Sequence, residues 1–205
     1  MSRKSNTESR RGEIVAALLK VIATQGYEKA TIQAIAREAG LAPGLIHYHF
    51  ENKQAILVAA ISAMAQSAAA RFETVLGDAT APARRLHAYL QARLGLGDGA
   101  APEIVAAWVM IGAEAVRQPE VREVYRTMVA RELSLLTTLL SDGLREQRRD
   151  TAHAARLAAG LLAMIEGAYQ LSSAAADVMP TGYAADAAIA YADQGIAAAP
   201  RRHVG

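Results

Sequence analysis

The segment Thr31–Lys53 has the sequence TIQAIAREAGLAPGLIHYHFENK, and it decides the fold. Thr31 can cap a short helix whose apolar residues follow helical spacing. Gly40 ends that helix, because glycine adopts the left-handed C′ conformation without a steric penalty. Pro43 suits the start of a second short helix that runs from Gly44 to Phe50. Two short helices joined by a glycine-containing turn predict a helix-turn-helix over residues 31–50.

Helical patterning extends on both sides of this motif. Hydrophobic residues make up 52% of the 205 residues and aromatic residues only 5%, and alanine and leucine, the strongest helix formers, are abundant. One helix precedes the motif and ends at Gly26, and another runs from Lys53 to about Leu76. Further helices are predicted near residues 80–96, 102–117, 119–148, 151–176 and 181–198. We therefore expect an all-α protein of about nine helices.

The long helix that begins at Lys53 predicts the domain organisation. We expect a small three-helix domain over residues 8–68, which contains the helix-turn-helix. A larger helical bundle is expected over residues 69–199.

Composition argues against several classes of function. The chain has no cysteine, which excludes disulfides, thiolate metal sites and cysteine nucleophiles. It has no P-loop, dinucleotide-binding fingerprint or nucleophile elbow, so we expect no enzyme and no cofactor. His47 and His49 point about 200° apart on a helix, so no shared metal is expected. The N-terminus lacks a signal-peptide core and no unbroken apolar run reaches about 18 residues, so we expect a soluble, cytoplasmic protein without a membrane partner.

The charge and chemistry of the motif favour nucleic acid as the partner. Residues 1–53 hold eight Lys and Arg residues against five Glu residues, whereas the rest of the chain is close to neutral. Pro43 and Gly44 are small enough for the backbone to approach a groove floor. His47, Tyr48 and His49 carry donors suited to phosphates and base edges.

The motif also resembles a known family. Thr31-x-x-x-Ile35-Ala36-x-x-Ala39-Gly40, Gly44-x-Ile46 and Tyr48-His49-Phe50-x-x-Lys53 are similar to the TetR family of repressors. The resemblance is close over residues 8–68 and extends loosely to the helix count of the whole chain. Within the family, Gly44-Leu45-Ile46, Trp108, Gln118-Pro119 and Ile165-Glu166-Gly167 most resemble the choline-responsive repressors of betaine synthesis.

The family resemblance implies roles for individual residues. Thr31, Tyr48, His49 and Lys53 match positions that contact the DNA backbone, and His47 stands where most members have a phosphate-binding tyrosine. The positions that face bases are Ala42, Pro43, Gly44 and Leu45. Ala42 replaces the commoner Ser or Thr cap, which removes a hydrogen bond worth about 1 kcal/mol.

The C-terminal helices supply candidate residues for a small-molecule site. Trp108, Met110, Met128, Met164 and Tyr169 are candidate lining residues, with Glu114, Tyr89 and Glu166 as polar partners. The plainer interpretation is that each belongs to the core. If the closer resemblance holds, Trp108 and a tyrosine would face a quaternary ammonium ion through cation–π contact.

The last two helices are rich in small residues, which allow close helix packing. In the family the equivalent pair forms a four-helix dimer interface, and the alternative is packing within one chain. A homodimer would place two recognition helices on successive major grooves of a palindromic operator. The expected function is a transcription repressor that a small-molecule effector releases from DNA. The alternative is a helical small-molecule-binding protein without specific DNA binding.

Overall fold

The computed structural model describes residues 3–95 and 102–202, and it confirms the all-α prediction. Its described residues form nine α-helices and no strand, apart from an isolated bridge between Arg149 and Arg201. The helices are α1 (Arg3–Gln25), α2 (Ile32–Ala39), α3 (Pro43–His49), α4 (Lys53–Leu76), α5 (Pro82–Leu94), α6 (Pro102–Ala115), α7 (Pro119–Glu146), α8 (Ala154–Ala174) and α9 (Tyr183–Ala198).

Some helix ends differ from the sequence prediction. The third helix begins at Pro43 and ends at His49, one residue earlier than predicted, because Phe50 is already extended. The eighth helix begins only at Ala154, since Thr151–His153 form a 3₁₀ turn that Asp150 caps through its side chain.

The chain forms two compact units. The first contains Met1–Gln66 with Ala101–Arg126, and the second contains Ser67–Ala100 with Thr127–Gly205. The sequence placed a domain boundary near residue 68 and assigned everything after it to one domain. In the structure, α6 instead joins the first unit because it packs against α1.

The apolar face of α1 forms the core of the first unit. Ile14, Leu18 and Ile22 are fully buried. Helix α1 packs against α2, α3 and α6, and Ile35 and Ile46 bring the two helices of the helix-turn-helix onto the same core. This packing fixes the position of α3 while its other face remains exposed.

Local caps set the ends of the helix-turn-helix as the sequence predicted. Thr31 Oγ1 accepts a hydrogen bond from Ala34 N at 3.1 Å, which caps α2. Gly40 has φ +65°, and its N–H donates to the last turn of α2. The side chain of Ala42 makes no capping hydrogen bond at the start of α3, where Pro43 takes the first helical position.

In the second unit, α5 and α8 pack with α9. The buried side chains there include Leu86, Leu90, Leu161, Ile165 and Ala188. Helices α8 and α9 approach closely, since a Cβ atom on Gly160 would clash with the hydroxyl of Tyr191. Small residues therefore serve packing within the chain at this contact.

Helix α4 is long and mainly apolar. Its length and composition are sufficient for a membrane-spanning helix, although no unbroken apolar run is that long. Ser62, Gln66 and Ser67 interrupt the apolar residues, but the mean hydropathy of the segment stays high. In the structure 28% of its apolar segment is buried, including Ile56 and Leu57 of the first unit.

We expect Gly40→Ala to lower the stability of the protein by about 1 kcal/mol, because an L-residue is strained in the left-handed region. The control is Gly12→Ala, at a helical position with nothing within 4 Å of a new Cβ. This change should raise stability by roughly 0.5–1 kcal/mol. Thermal unfolding at one protein concentration measures both. Equal effects of the two substitutions would contradict the role of Gly40.

Candidate DNA-binding surface and buried polar cluster

The residues predicted to face bases lie together on the exposed side of α3 and its N-terminus. Ala42, Pro43, Gly44 and Leu45 are exposed, and Leu45 retains 36% of its accessible surface. Ile46 points the other way and is fully buried. The first turn of α3 therefore presents a small, mainly apolar surface that a major groove can accommodate.

The predicted phosphate contacts flank this surface. Tyr48 is 75% exposed, and its ring meets His49 edge-on with centroids 5.1 Å apart. His47 is exposed and His49 is half-buried. Thr31 is exposed, and because its Oγ1 accepts the capping hydrogen bond, its hydroxyl proton can still be donated to a phosphate.

Arg11 connects α1 to the C-terminal end of α3. Its Nη1 donates a hydrogen bond to the carbonyl oxygen of His49, and its guanidinium lies 4.0 Å from the centroid of the Phe50 ring. A cation at a helix C-terminus is favourable, because the last carbonyls there lack partners. Arg11 therefore holds the recognition helix from outside the motif.

The ammonium group of Lys53 packs onto Tyr27. Lys53 Nζ donates to the carbonyl oxygen of Tyr27 at 3.0 Å and lies 3.9 Å from the centroid of its ring. Burial lowers the pKa of Lys53, while the carboxylates of Glu114, Glu120 and Glu28 oppose that change. Burial also raises the pKa of Tyr27 to about 12, so its hydroxyl stays protonated.

Three of the predicted effector residues belong to the first unit. Trp108 is buried, and its ring lies 4.9 Å from that of Tyr125, centroid to centroid. Met110 approaches Gly26, where a Cβ would be 3.6 Å from its Cε. Glu114 accepts a hydrogen bond from Gln118 Nε2 at 2.6 Å.

The other three belong to the second unit. Met128 and Met164 are half-buried, and Tyr169 is buried. Tyr169 takes part in a group of polar side chains from α5, α7 and α8, which we call the Arg93 cluster. Its members are Tyr89, Arg93, Glu132 and Tyr169.

Glu132 accepts hydrogen bonds from two members of the Arg93 cluster. Tyr89 Oη donates to Oε1 at 2.8 Å, and Arg93 Nη2 lies 2.8 Å from the carboxylate. The guanidinium carbon of Arg93 is 5.3 Å from the centroid of the Tyr169 ring, whose hydroxyl donates to the Arg93 carbonyl at 3.1 Å. The Arg93 and Glu132 side chains are 14% and 13% exposed. The cluster therefore holds a cation between a carboxylate and an aromatic face in a mostly dehydrated setting.

Electrostatics keep the cluster in one protonation state. Burial raises the pKa of Tyr169 to about 12 and the pKa of Tyr89 further, with Glu132 contributing to both. Burial opposes the charge on Arg93, but Tyr169, Glu132, Tyr89 and Glu166 together raise the pKa of its guanidinium. Both tyrosines are therefore neutral donors, and Arg93 is a fixed cation near neutral pH.

Sequence reasoning missed Arg11, Arg93 and Glu132. Arg11 is one of the eight basic residues in residues 1–53, and nothing in its spacing indicates a contact with a residue 38 positions away. Arg93 and Glu132 lie on different helices, 39 residues apart in sequence. Only their burial makes them notable, and burial is a tertiary property.

Comparisons with known proteins agree with this geometry. Residues 14–60 match the model for bacterial regulatory proteins of the tetR family. Residues 82–199 match the model for the C-terminal part of the BetI-type transcriptional repressors. The chain belongs to the TetR family. It is accordingly a DNA-binding transcriptional regulator, called the regulator below, and not an enzyme.

Individual relatives cover most of the regulator. The HTH-type transcriptional regulator BetI of Rhizobium meliloti is 36% identical over 160 residues, which are 78% of this chain and 76% of the relative. The corresponding protein of Agrobacterium fabrum is 33% identical over 78% of this chain and 75% of its own length.

Solved structures share the fold. A transcriptional regulator from Rhodococcus sp. RHA1 superposes with a TM-score of 0.75 at 24% identity, covering 92% of this chain and 97% of its own. A regulator from Saccharomonospora viridis, solved in complex with choline, gives a TM-score of 0.71 at 23% identity and covers 93% and 97%.

We expect Arg11→Gln to weaken binding to the preferred DNA by about tenfold, because α3 loses a charge-assisted hydrogen bond at its end. The control is Arg10→Gln, since the neighbouring Arg10 pairs with Glu13 on the surface at 2.6 Å. Fluorescence anisotropy over a range of salt concentrations measures both variants.

The slope of affinity against salt separates positioning from direct phosphate contact. Two variants with equal slopes but unequal affinities would support positioning of α3. If the salt slope of Arg11→Gln is smaller than that of Arg10→Gln by about the release of one counterion, Arg11 instead contacts DNA directly.

Proposed function

We propose that the regulator represses transcription by binding a palindromic operator through α3, in the bacterial cytoplasm. The observation that carries this proposal is the division of α3 into a buried face, anchored by Ile46 and Arg11, and an exposed face that starts at Ala42. A rigid helix with one face free is what entry into a major groove requires. In this proposal Thr31, His47, Tyr48, His49 and Lys53 contact phosphates, and Ala42, Pro43, Gly44 and Leu45 face bases.

Lys53 contributes to this function through the two contacts it makes with Tyr27. A lysine ammonium has three donors, and one of them is used by the Tyr27 carbonyl. The remaining donors are available for a phosphate oxygen. The ring of Tyr27 and its carbonyl fix the ammonium in place before DNA binds, which lowers the entropic cost of the contact.

The partner of the second unit is a second copy of the chain, paired through α8 and α9. Small residues of these helices fall into two sets. Ala158, Ala168, Ala188 and Ala192 are buried within the chain. Ala155, Ala159, Ala163, Gly167, Ala187 and Ala190 are exposed, and on α8 they recur every fourth residue as one stripe. An exposed small-residue stripe on two adjacent helices suits close packing with a symmetric copy.

The proposed effector is a small quaternary ammonium ion of the choline class. The regulator carries a BetI-type C-terminal region, and a neighbour of similar fold was solved with choline. The Arg93 cluster offers chemistry for such a cation, namely a tyrosine face and a buried carboxylate. Tyr169 belongs to this cluster, which supports its proposed role in the second unit. Met128 and Met164 remain proposed effector residues of the same unit, and Trp108, Met110 and Glu114 remain proposed effector residues of the first unit.

Selection from a random duplex pool at about 150 mM salt should enrich an inverted repeat with half-sites about one helical turn apart.

Lys53→Gln should weaken binding to all sequences and reduce the slope of log affinity against log salt concentration by about 0.9. Tyr48→Phe should weaken all sequences without altering the slope, because it removes a neutral donor. Gly44→Ser should change the preferred sequence instead, and nothing within 4 Å obstructs the new side chain.

Lys20→Gln serves as the control for lost charge, because Lys20 pairs with Glu38 at 2.6 Å in the same unit. A folded protein that enriches no sequence would overturn the operator proposal. It would favour the alternative, a small-molecule-binding protein without specific DNA binding.

Ala159→Glu should convert the dimer to monomer, because a charge at the centre of the stripe would be buried without a partner. Ala130→Glu on α7 is the control, since Ala130 is exposed outside the stripe. Sedimentation velocity measures the oligomeric state of both variants. A dimer that tolerates Ala159→Glu would place the interface elsewhere.

A further inference from the structure

Arg93 is held in an unusual way for a buried arginine. Its Nη2 pairs with Glu132 and its guanidinium lies near the ring of Tyr169, yet its Nε is buried and has no hydrogen-bond partner among the residues that the structure describes. A buried donor without an acceptor costs free energy, because it has lost water and gained nothing in return. The cluster therefore suits a cation in its charge and aromatic surface, but it does not satisfy this particular cation fully.

The surroundings of Arg93 supply the groups that a cationic ligand needs. Glu132 provides a carboxylate that is oriented by the Tyr89 hydroxyl, and Tyr169 provides an aromatic face. Glu166 adds negative charge that raises the pKa of the guanidinium. These groups come from α5, α7 and α8, so the arrangement is fixed by three helices of the second unit.

We propose that the Arg93 guanidinium is an internal competitor for the effector, and that a quaternary ammonium ion binds the regulator by displacing it from Tyr169 and Glu132. This inference rests on the effector class proposed above. A quaternary ammonium ion has positive charge but no N–H group, so it leaves no donor unsatisfied in a dry site. The exchange removes a guanidinium that has an unpaired buried N–H and introduces a quaternary ammonium group that has no N–H.

The position of Arg93 makes the exchange feasible. It lies in the last turn of α5, and its side chain keeps 14% exposure, so the long stem has a route to water. Displacement leaves Glu132 paired with the incoming cation and still bonded to Tyr89. The affinity for the effector then depends on how much more favourably the cluster binds the effector than it binds the Arg93 guanidinium. Arg93 therefore helps to determine the effector concentration that the regulator senses.

Calorimetric titration of the full-length protein with choline chloride tests the proposal. Arg93→Met keeps an apolar stem and removes the competing guanidinium, so choline should bind about tenfold more tightly than in the wild type. Arg84→Met, an exposed arginine on the same helix, should leave the affinity unchanged. Methylguanidinium should raise the Tm of Arg93→Met, compete with choline for it, and leave the Tm of the wild type unchanged.

A second measurement uses the unaltered protein, in case Arg93→Met fails to fold. The Arg93 Nε–H is buried and should exchange slowly with solvent, and saturating choline should convert it to fast exchange in an ¹⁵N NMR experiment.

Suppose that choline binds the wild type, binds a folded Arg93→Met no more tightly, and leaves the Arg93 Nε–H protected. That result would overturn the displacement of Arg93 but not the proposed effector class. No choline binding by the wild type or either variant would overturn the proposed effector class, and displacement with it.

Discussion

Burial of the apolar face of α1 is the constraint on which the first unit depends. Ile14, Leu18 and Ile22 contribute fully buried side chains to the contacts with α2, α3 and α6. The helix that faces DNA and a helix from the middle of the chain thus pack on the same element. Because close-packed interiors resist small volume changes, a shift of α6 cannot leave α1 unaffected. The contact therefore gives a physical route by which events at α6 can reach α3.

Polar contacts at the edge of this core fix helix orientations that apolar burial alone does not determine. A core of aliphatic side chains fixes the distance between helices better than their rotation, since dispersion contacts have little directionality. Arg11 adds direction by bonding the His49 carbonyl and covering Phe50. Lys53 does the same at the start of α4 through the carbonyl and ring of Tyr27. Arg11 acts at the C-terminal end of α3, where carbonyl groups lack intrahelical partners, whereas Lys53 bonds the turn that follows α1.

The second unit keeps charge in a place where an apolar core would be simpler. A buried ion pair is a poor source of stability, because dehydration of both charges offsets their attraction. The Arg93–Glu132 pair, in which Arg93 Nε has no partner among the described residues, therefore adds little to stability. We propose that it serves the effector site instead. The same unit uses its alanines in two ways. One set allows α8 and α9 to approach each other, and another lies exposed along α8.

Sequence by itself determined the helix-turn-helix, the all-helical class and the family, because these depend on local features. The cap at Thr31, the left-handed Gly40 and Pro43 at a helix start act within a few residues, and all three appear in the structure as predicted. Tertiary structure alone decided that α6 joins the first unit, that Arg11 holds α3, and that Arg93 meets Glu132 and Tyr169. The contacts of Arg11 and Arg93 join residues 38 to 76 positions apart. Helical periodicity shows which face of a helix is apolar but not which helix will cover it.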